Sequence, residues 1–214
     1  AVAVSAHPVL SFVAPYVLVK TMRASFLSLG PLLARFGRAR VSTPGGCAIG
    51  ARPVNIHLEG LQRLGASIRM QQGYVEAEAS KLRGAYIPLE FPSVGATENL
   101  MMAATLAEGT TVIDNAACEP EIVDLALMLT SMGAHIRGAG TGTITIDGVT
   151  TLSGTAHTVI PDRVEAGSFL TAGAITSGDV FVRGARADHL GALLDMFEAA
   201  GISFSVHEDG IRVI

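Results

Sequence analysis

The chain has 214 residues, 49% of them hydrophobic and only 16% charged, with a net charge of −4. That composition belongs to a core-rich globular protein; it excludes a disordered chain and argues against a nucleic-acid partner, which would call for a basic excess. Two cysteines, Cys47 and Cys118, are too few for a disulfide scaffold and fit a reducing compartment.

Residues 1–19 are apolar, but Pro8 and Pro15 interrupt them, His7 sits among them, and no basic stretch precedes them. They read as neither a signal peptide nor a membrane span. The chain starts at Ala1 rather than Met and stops at Ile214 inside a strand-like run, so both ends read as cut. A helix is expected over 23–36, "RASFLSLGPLLARF", closed by Gly37 and followed by a strand beginning near Val41. A second helix starts after Pro53, ends at Gly65, and leads into a further strand pair.

The same succession recurs twice. Helices over 95–108 and 164–177 end at Gly109 and Gly178, with strands from near Val112 and Val180. Second helices follow and end at Gly133 and Gly201, each 68 residues beyond the previous one. Val54, Ile122 and Leu190 correspond, as do Leu58, Ala126 and Leu194, and Leu61, Leu129 and Phe197; the offsets i, i+4 and i+7 mark one buried helix face. Gly65, Gly133 and Gly201 stand where a helix end favours a left-handed residue. The unit therefore reads helix, strand, helix, strand, strand, the last two forming a hairpin such as "AHIRGAGTGTITIDG" with glycine at its turn. A strand that feeds a helix returning to the same sheet is a βαβ crossover. Three such units, with Ala, Gly and Leu dominating their first helices, predict an α/β fold of tightly buried helices flanked by sheets.

The first unit departs from its siblings. From strand to helix face, Val112 to Ile122 and Val180 to Leu190 are both ten residues, whereas Val41 to Val54 is thirteen. The extra length falls in "TPGGCAIGAR". Because the siblings do without it, the insertion points to function rather than architecture. It brings Cys47 close to a helix N-terminus, where the thiolate and other anions are favoured, and it sets the fixed cation of Arg52 directly before Pro53. Two readings stand: an anion site with a reactive thiol, or a small cysteine packed in a turn. Cys118, in a sibling loop of ordinary length, reads as structural. His57 replaces Leu125 and Leu193 of the siblings on the core-facing side and reads as a packed histidine. Arg23 is either a solvated first-turn residue or an inward-facing anion ligand. Ser93 and Gly95, in "FPSVGAT", either cap a helix or hold a diphosphate on free N–H groups. Asp162 and Arg163 take the same place in the third unit, as a cap and a surface ion pair.

Four stretches, "LVKTMRAS", "PGGCAIGARPV", "SVGATENLMMAATLAEGTTVIDNAACEPEIVDL" and "IPDRVEAGSFL", resemble the bacterial UDP-N-acetylglucosamine 1-carboxyvinyltransferases. The resemblance runs along almost the whole chain. It implies an inside-out α/β barrel: two domains, each of three repeated units around a pseudo-threefold axis, with the active site between them. On that pattern residues 1–159 hold most of the first domain, with two complete units, and residues 160–214 hold the first unit of the second.

The reaction so implied moves the enolpyruvyl group of phosphoenolpyruvate to the 3′-hydroxyl of UDP-N-acetylglucosamine and releases phosphate. This is the first committed step of peptidoglycan synthesis, carried out in the cytoplasm without a metal or cofactor, on small molecules, with neither nucleic acid nor membrane. By the same resemblance Cys47 is the proton donor and the target of the epoxide antibiotic fosfomycin. Arg52 serves both phosphoenolpyruvate and the nucleotide. Pro53, Val54, Asn55 and Ile56 line the uridine, Arg23 binds the sugar nucleotide, and Ser93, Val94 and Gly95 form a diphosphate-binding turn. Asn55 stands where many members have Asp, and Phe91-Pro92 where some have Lys-Val. The family's early Lys-Asn pair, later Thr-Asp motif and C-terminal arginine have no counterpart in these residues, so the 214 residues alone are expected not to turn over. The alternatives are a fragment that only binds UDP-sugar or phosphate, and a non-catalytic repeat scaffold.

Overall fold

A computed structural model of the chain describes residues 1–6, 8–43 and 54–214. Two compact units, Ala1–Ala156 and His157–Ile214, divide the chain, each with its own hydrophobic core.

In the first unit, β1 (Val13–Ala14) leads through the short α1 (Tyr16–Val19) and a 3-10 helix (Arg23–Ser28) into α2 (Leu29–Phe36). Then come β2 (Arg38–Ser42), α3 (Asn55–Arg63), β3 (Ser67–Gln71) and β4 (Tyr74–Glu78). The sheet runs β1-β2-β4-β3; β1 is parallel to β2, and β4 lies antiparallel between β2 and β3. Strands β2 and β3 are therefore parallel and joined through α3, a βαβ crossover with the returning hairpin strand inserted between them. The succession repeats with β5 (Tyr86–Pro88), α4 (Val94–Ala104), β6 (Thr110–Asp114), α5 (Pro120–Ser131), β7 (His135–Arg137) and β8 (Thr143–Asp147), in the matching order β5-β6-β8-β7.

The second unit follows the same plan. Its elements are α6 (Arg163–Ile175), β9 (Val180–Arg183), a short 3-10 helix (Ala187–His189), α7 (Gly191–Ala199), β10 (Phe204–His207) and β11 (Gly210–Val213). Its sheet has three strands, with β11 between β9 and β10 and antiparallel to both. Three copies of helix, strand, helix and hairpin thus occur at the spacing expected from sequence. The matched helix faces are the buried ones: Ile122, Leu190, Ala126, Leu194, Leu61, Leu129 and Phe197 are in the cores, with Val54 and Leu58 half-buried against them.

Local chemistry altered the expected elements at one point. The helix anticipated over 23–36 is a 3-10 helix followed by an α-helix. Pro31 has no N–H to give Leu27, and its ring crowds that carbonyl, so the chain before it takes the tighter winding. Gly65, Gly133 and Gly201 adopt the left-handed conformation, with φ of 95°, 106° and 72°. Gly178 does not; Ser177, at φ 50°, makes the left-handed turn after α6.

Helix α4 is the centre of the first unit. It packs against α2, α3 and α5 and against strands of its own sheet. Ala96, Thr97, Asn99, Leu100, Met101, Ala103 and Ala104 are all buried. Its neighbours come close because they present glycines. A β-carbon at Gly60 of α3 would lie 2.5 Å from both terminal methyls of Leu100, and one at Gly30 of α2 would lie 2.4 Å from Asn99 Oδ1. Leu100→Ala should therefore destabilise the protein by about 2–5 kcal/mol, since it both loses burial and opens a cavity. Leu127→Ala on α5, where the side chain is 60% exposed, should change stability by less than about 0.5 kcal/mol. Urea denaturation midpoints of the two variants check the contrast.

Candidate functional site

The first turns of α3 and α4 meet. His57, the third residue of α3, is 5% exposed, and its ring packs edge-on against Phe26 with centroids 5.3 Å apart. Its Cε1 and Nε2 face the start of α4, 3.4 and 3.6 Å from the position a β-carbon would take on Gly95. Arg23 opens the 3-10 helix, is half-buried, and places its charge near enough to disfavour a proton on the ring. Burial first, and Arg23 second, lower the His57 pKa from 6.5 to about 4, so the ring is neutral at physiological pH.

Asn99 settles which ring nitrogen carries the proton. The Gly30 N–H, which can only donate, reaches Asn99 Oδ1 at 2.8 Å. The Asn99 amide nitrogen therefore faces His57 Nδ1, 3.2 Å away, and donates to it. Nδ1 accepts, and the proton lies on Nε2, on the Gly95 side.

Ser93 caps α4, its Oγ accepting from the Ala96 N–H at 3.3 Å. The other N–H groups of that first turn have no partner within the helix, and the same holds for the first turn of α3. Two helix N-termini, each carrying partial positive charge, thus converge beside Arg23, an arrangement suited to an anion. Val54 is half-buried and Asn55 exposed at the start of α3, while Ile56 turns into the core at 6% exposure. Ser93, Val94 and Gly95 are half-buried. The structure therefore brings Arg23, the Val54–Ile56 turn and the Ser93–Gly95 turn to one place. Cys47, Arg52, Pro53 and the lengthened connection that carries them lie outside the described residues.

Of the readings left open by sequence, His57 is packed as expected, and Arg23 is half-buried, with its charge acting on the His57 ring. Ser93 is a cap. Asp162 likewise caps α6, accepting from Val164 and Glu165 N–H. Cys118 is exposed, not packed, with its Sγ 3.6 Å from the Ala116 carbonyl. Thr97 holds that connection instead, its Oγ1 accepting from Ala117 N–H at 3.1 Å. Sequence reasoning missed Asn99. The signal available was one amide among the apolar residues of "NLMMAAT". Among the described residues, no group of three or more His, Cys, Asp or Glu could hold a metal ion, and no helix is long and apolar enough to cross a membrane.

Glu98, also on α4, is half-buried, and burial together with the neighbouring Glu121 raises its pKa from 4.5 to about 6. Glu98 and His57 act oppositely on stability. Unfolded His57 binds a proton near pH 6.5 but the native ring only near pH 4. As pH falls through that window His57 therefore withdraws stability, by up to roughly 3 kcal/mol. Native Glu98 binds its proton more readily than the unfolded chain, so its contribution rises as pH falls from about 6 to 4.5. Urea midpoints at pH 7.5 and 4.5 should show His57→Leu losing less stability on acidification than the wild type, and Glu98→Gln losing more.

Comparison with known proteins places these features. A family profile described as EPSP synthase (3-phosphoshikimate 1-carboxyvinyltransferase) matches residues 1–214. The chain is 58% identical over 200 residues to UDP-N-acetylglucosamine 1-carboxyvinyltransferase 1 of Caldanaerobacter subterraneus subsp. tengcongensis, covering 94% of this chain and 48% of that protein. It is 58% identical over 204 residues to UDP-N-acetylglucosamine 1-carboxyvinyltransferase of Thermodesulfovibrio yellowstonii, covering 95% and 49%. The chain spans about half the length of the curated relatives it matches. Among solved structures, the enolpyruvyl transferase NikO from Streptomyces tendae superposes with a TM-score of 0.80 at 25% identity, over 95% of this chain and 49% of that one. EPSP synthase from Acinetobacter baumannii shares the fold, with a TM-score of 0.66 at 21% identity over 89% of this chain and 45% of that one.

Proposed function

This chain belongs to the EPSP synthase family, and we propose that it forms part of an enzyme transferring the enolpyruvyl group of phosphoenolpyruvate to the 3′-hydroxyl of UDP-N-acetylglucosamine. The observation that carries this reading is the meeting of the α3 and α4 first turns beside Arg23. The 58% identity to two 1-carboxyvinyltransferases acting on that sugar nucleotide supports it. In this reading residues 1–159 contribute most of one domain, and 160–214 begin the second. The protein works in the cytoplasm and serves cell-wall synthesis.

The reaction is an addition followed by an elimination. A proton goes to the methylene carbon of phosphoenolpyruvate, and the adjacent carbon, now oxocarbenium-like, accepts the sugar hydroxyl, whose proton departs. Loss of a proton from the new methyl group then expels phosphate and restores the double bond. Cys47 is the acid that delivers the first proton. Arg52 holds the phosphate. Arg23 and the Ser93–Gly95 amides hold the diphosphate, and Pro53, Val54, Asn55 and Ile56 form the uridine wall. The wall is neutral or cationic throughout, as two phosphorylated substrates require.

Phosphate release by the full-length protein, supplied with both substrates, tests the reading. Turnover should depend on UDP-N-acetylglucosamine and disappear in Cys47→Ala. Absence of turnover in the wild type would overturn the assignment. Arg52→Ala should weaken phosphoenolpyruvate binding by about 10- to 100-fold, the worth of a charge-assisted hydrogen bond, and by more than Arg23→Ala does. Calorimetric titration decides the order, and equal losses would count against the role given to Arg52. With fosfomycin, mass mapping should place the adduct on Cys47, although Cys118 is exposed.

A further inference from the structure

The proposed reading does not use the most buried polar contact near the site. His57 and Asn99 are 5% and 0% exposed and hydrogen-bonded to each other. Burying two polar groups is costly, and an apolar pair of similar shape packs at least as well. The repeat shows that alternative inside this molecule. Leu125 on α5 and Leu193 on α7 occupy the place of His57, and each packs against its own core. The architecture therefore does not require a histidine at this position.

What distinguishes the pair is the number of elements it joins. Asn99 on α4 accepts from Gly30 at the start of α2 and donates to His57 in the first turn of α3. The ring in turn touches Phe26 of the 3-10 helix and the Gly95 end of α4. These are the elements that carry Arg23, the Val54–Ile56 turn and the Ser93–Gly95 turn. Leucine has shape but no direction. The amide–imidazole bond fixes the ring plane, the register between α3 and α4, and the side of the ring that carries the proton.

We infer that His57 and Asn99 are positioning residues of the sugar-nucleotide site, holding the first turns of α3 and α4 at the spacing that lets both engage one diphosphate nucleoside. The inference rests on the functional reading above and extends it. It assigns His57 no proton transfer: the ring stays neutral, with its proton on Nε2.

Four variants of the full-length protein test it: His57→Leu, the residue of the sibling units; His57→Gln, which keeps an acceptor for Asn99; Asn99→Leu; and the double Leu variant. His57→Leu should lower the urea midpoint at pH 7.5, because it leaves the buried Asn99 amide N–H without its acceptor, and His57→Gln should restore it. His57→Leu should also raise KM for UDP-N-acetylglucosamine about tenfold, the scale expected from a small misplacement of binding groups. KM for phosphoenolpyruvate should move less than twofold. His57→Gln should recover most of the loss. The double Leu variant should be no worse than the poorer single one, since either change breaks the same bond. Nitrogen-15 spectra of the wild type should show Nε2 protonated and Nδ1 bare from pH 5.5 to 8. An unchanged sugar-nucleotide KM in His57→Leu, a proton on Nδ1, or additive single effects would each overturn the inference.

Calorimetry with UDP alone separates this from the reaction assignment. If the wild type binds UDP but releases no phosphate, the reaction assignment fails, and the same tenfold loss of UDP affinity in His57→Leu still supports positioning. If the wild type does not bind UDP, both fail.

Discussion

The first unit depends on the near-complete burial of one helix. With Ala96, Thr97, Asn99, Leu100, Met101, Ala103 and Ala104 all inside, α4 cannot solvate what polar groups it has. Thr97 must find Ala117, and Asn99 must find Gly30 and His57, because each unpaired buried donor or acceptor would cost about 1–3 kcal/mol. These obligations determine where α2, α3 and the connection before α5 lie. Glycine at 30 and 60 is the steric counterpart, since either position with a side chain would strike Asn99 or Leu100. Packing and polar satisfaction thus select the same arrangement, the consistency expected of a well-specified fold.

One consequence of that arrangement is electrostatic. The first turn of α3 meets that of α4 at His57 and Gly95, and Arg23 acts on the same ring, so partial positive charge gathers at one point. Such a point repels protons as readily as it attracts phosphate. The neutrality of His57 follows from burial reinforced by Arg23, and a neutral imidazole is the only form that can accept from Asn99. The same burial that holds the ring in place therefore also determines its protonation.

The repeat supplies its own controls. Three copies of one plan show which residues the architecture needs: the apolar helix faces, and a left-handed residue where each helix turns back. Departures confined to one copy stand out against that background. His57 in place of leucine and the lengthened connection around Cys47 both belong to the first copy. Cys118, in a sibling connection of ordinary length, is exposed and lacks the flanking glycines.

The sequence by itself determined the repeat, its period, the helix faces and the family, because these are encoded in local periodicity and in contiguous motifs such as "PGGCAIGARPV". It also marked His57 as packed, since the sibling residues at that position are leucines. It misjudged the 23–36 helix, where the effect of Pro31 on the preceding turn outweighed the apolar pattern. Tertiary structure alone decided the strand order, with each hairpin's second strand inserted between two parallel ones. It alone decided the partnership of Gly30, Asn99 and His57. Gly30 and Asn99 are 69 residues apart, and Asn99 and His57 are 42 apart. No local pattern encodes such a contact. It exists only because burial of α4 brings those helices within hydrogen-bonding distance and leaves their polar atoms no water to turn to.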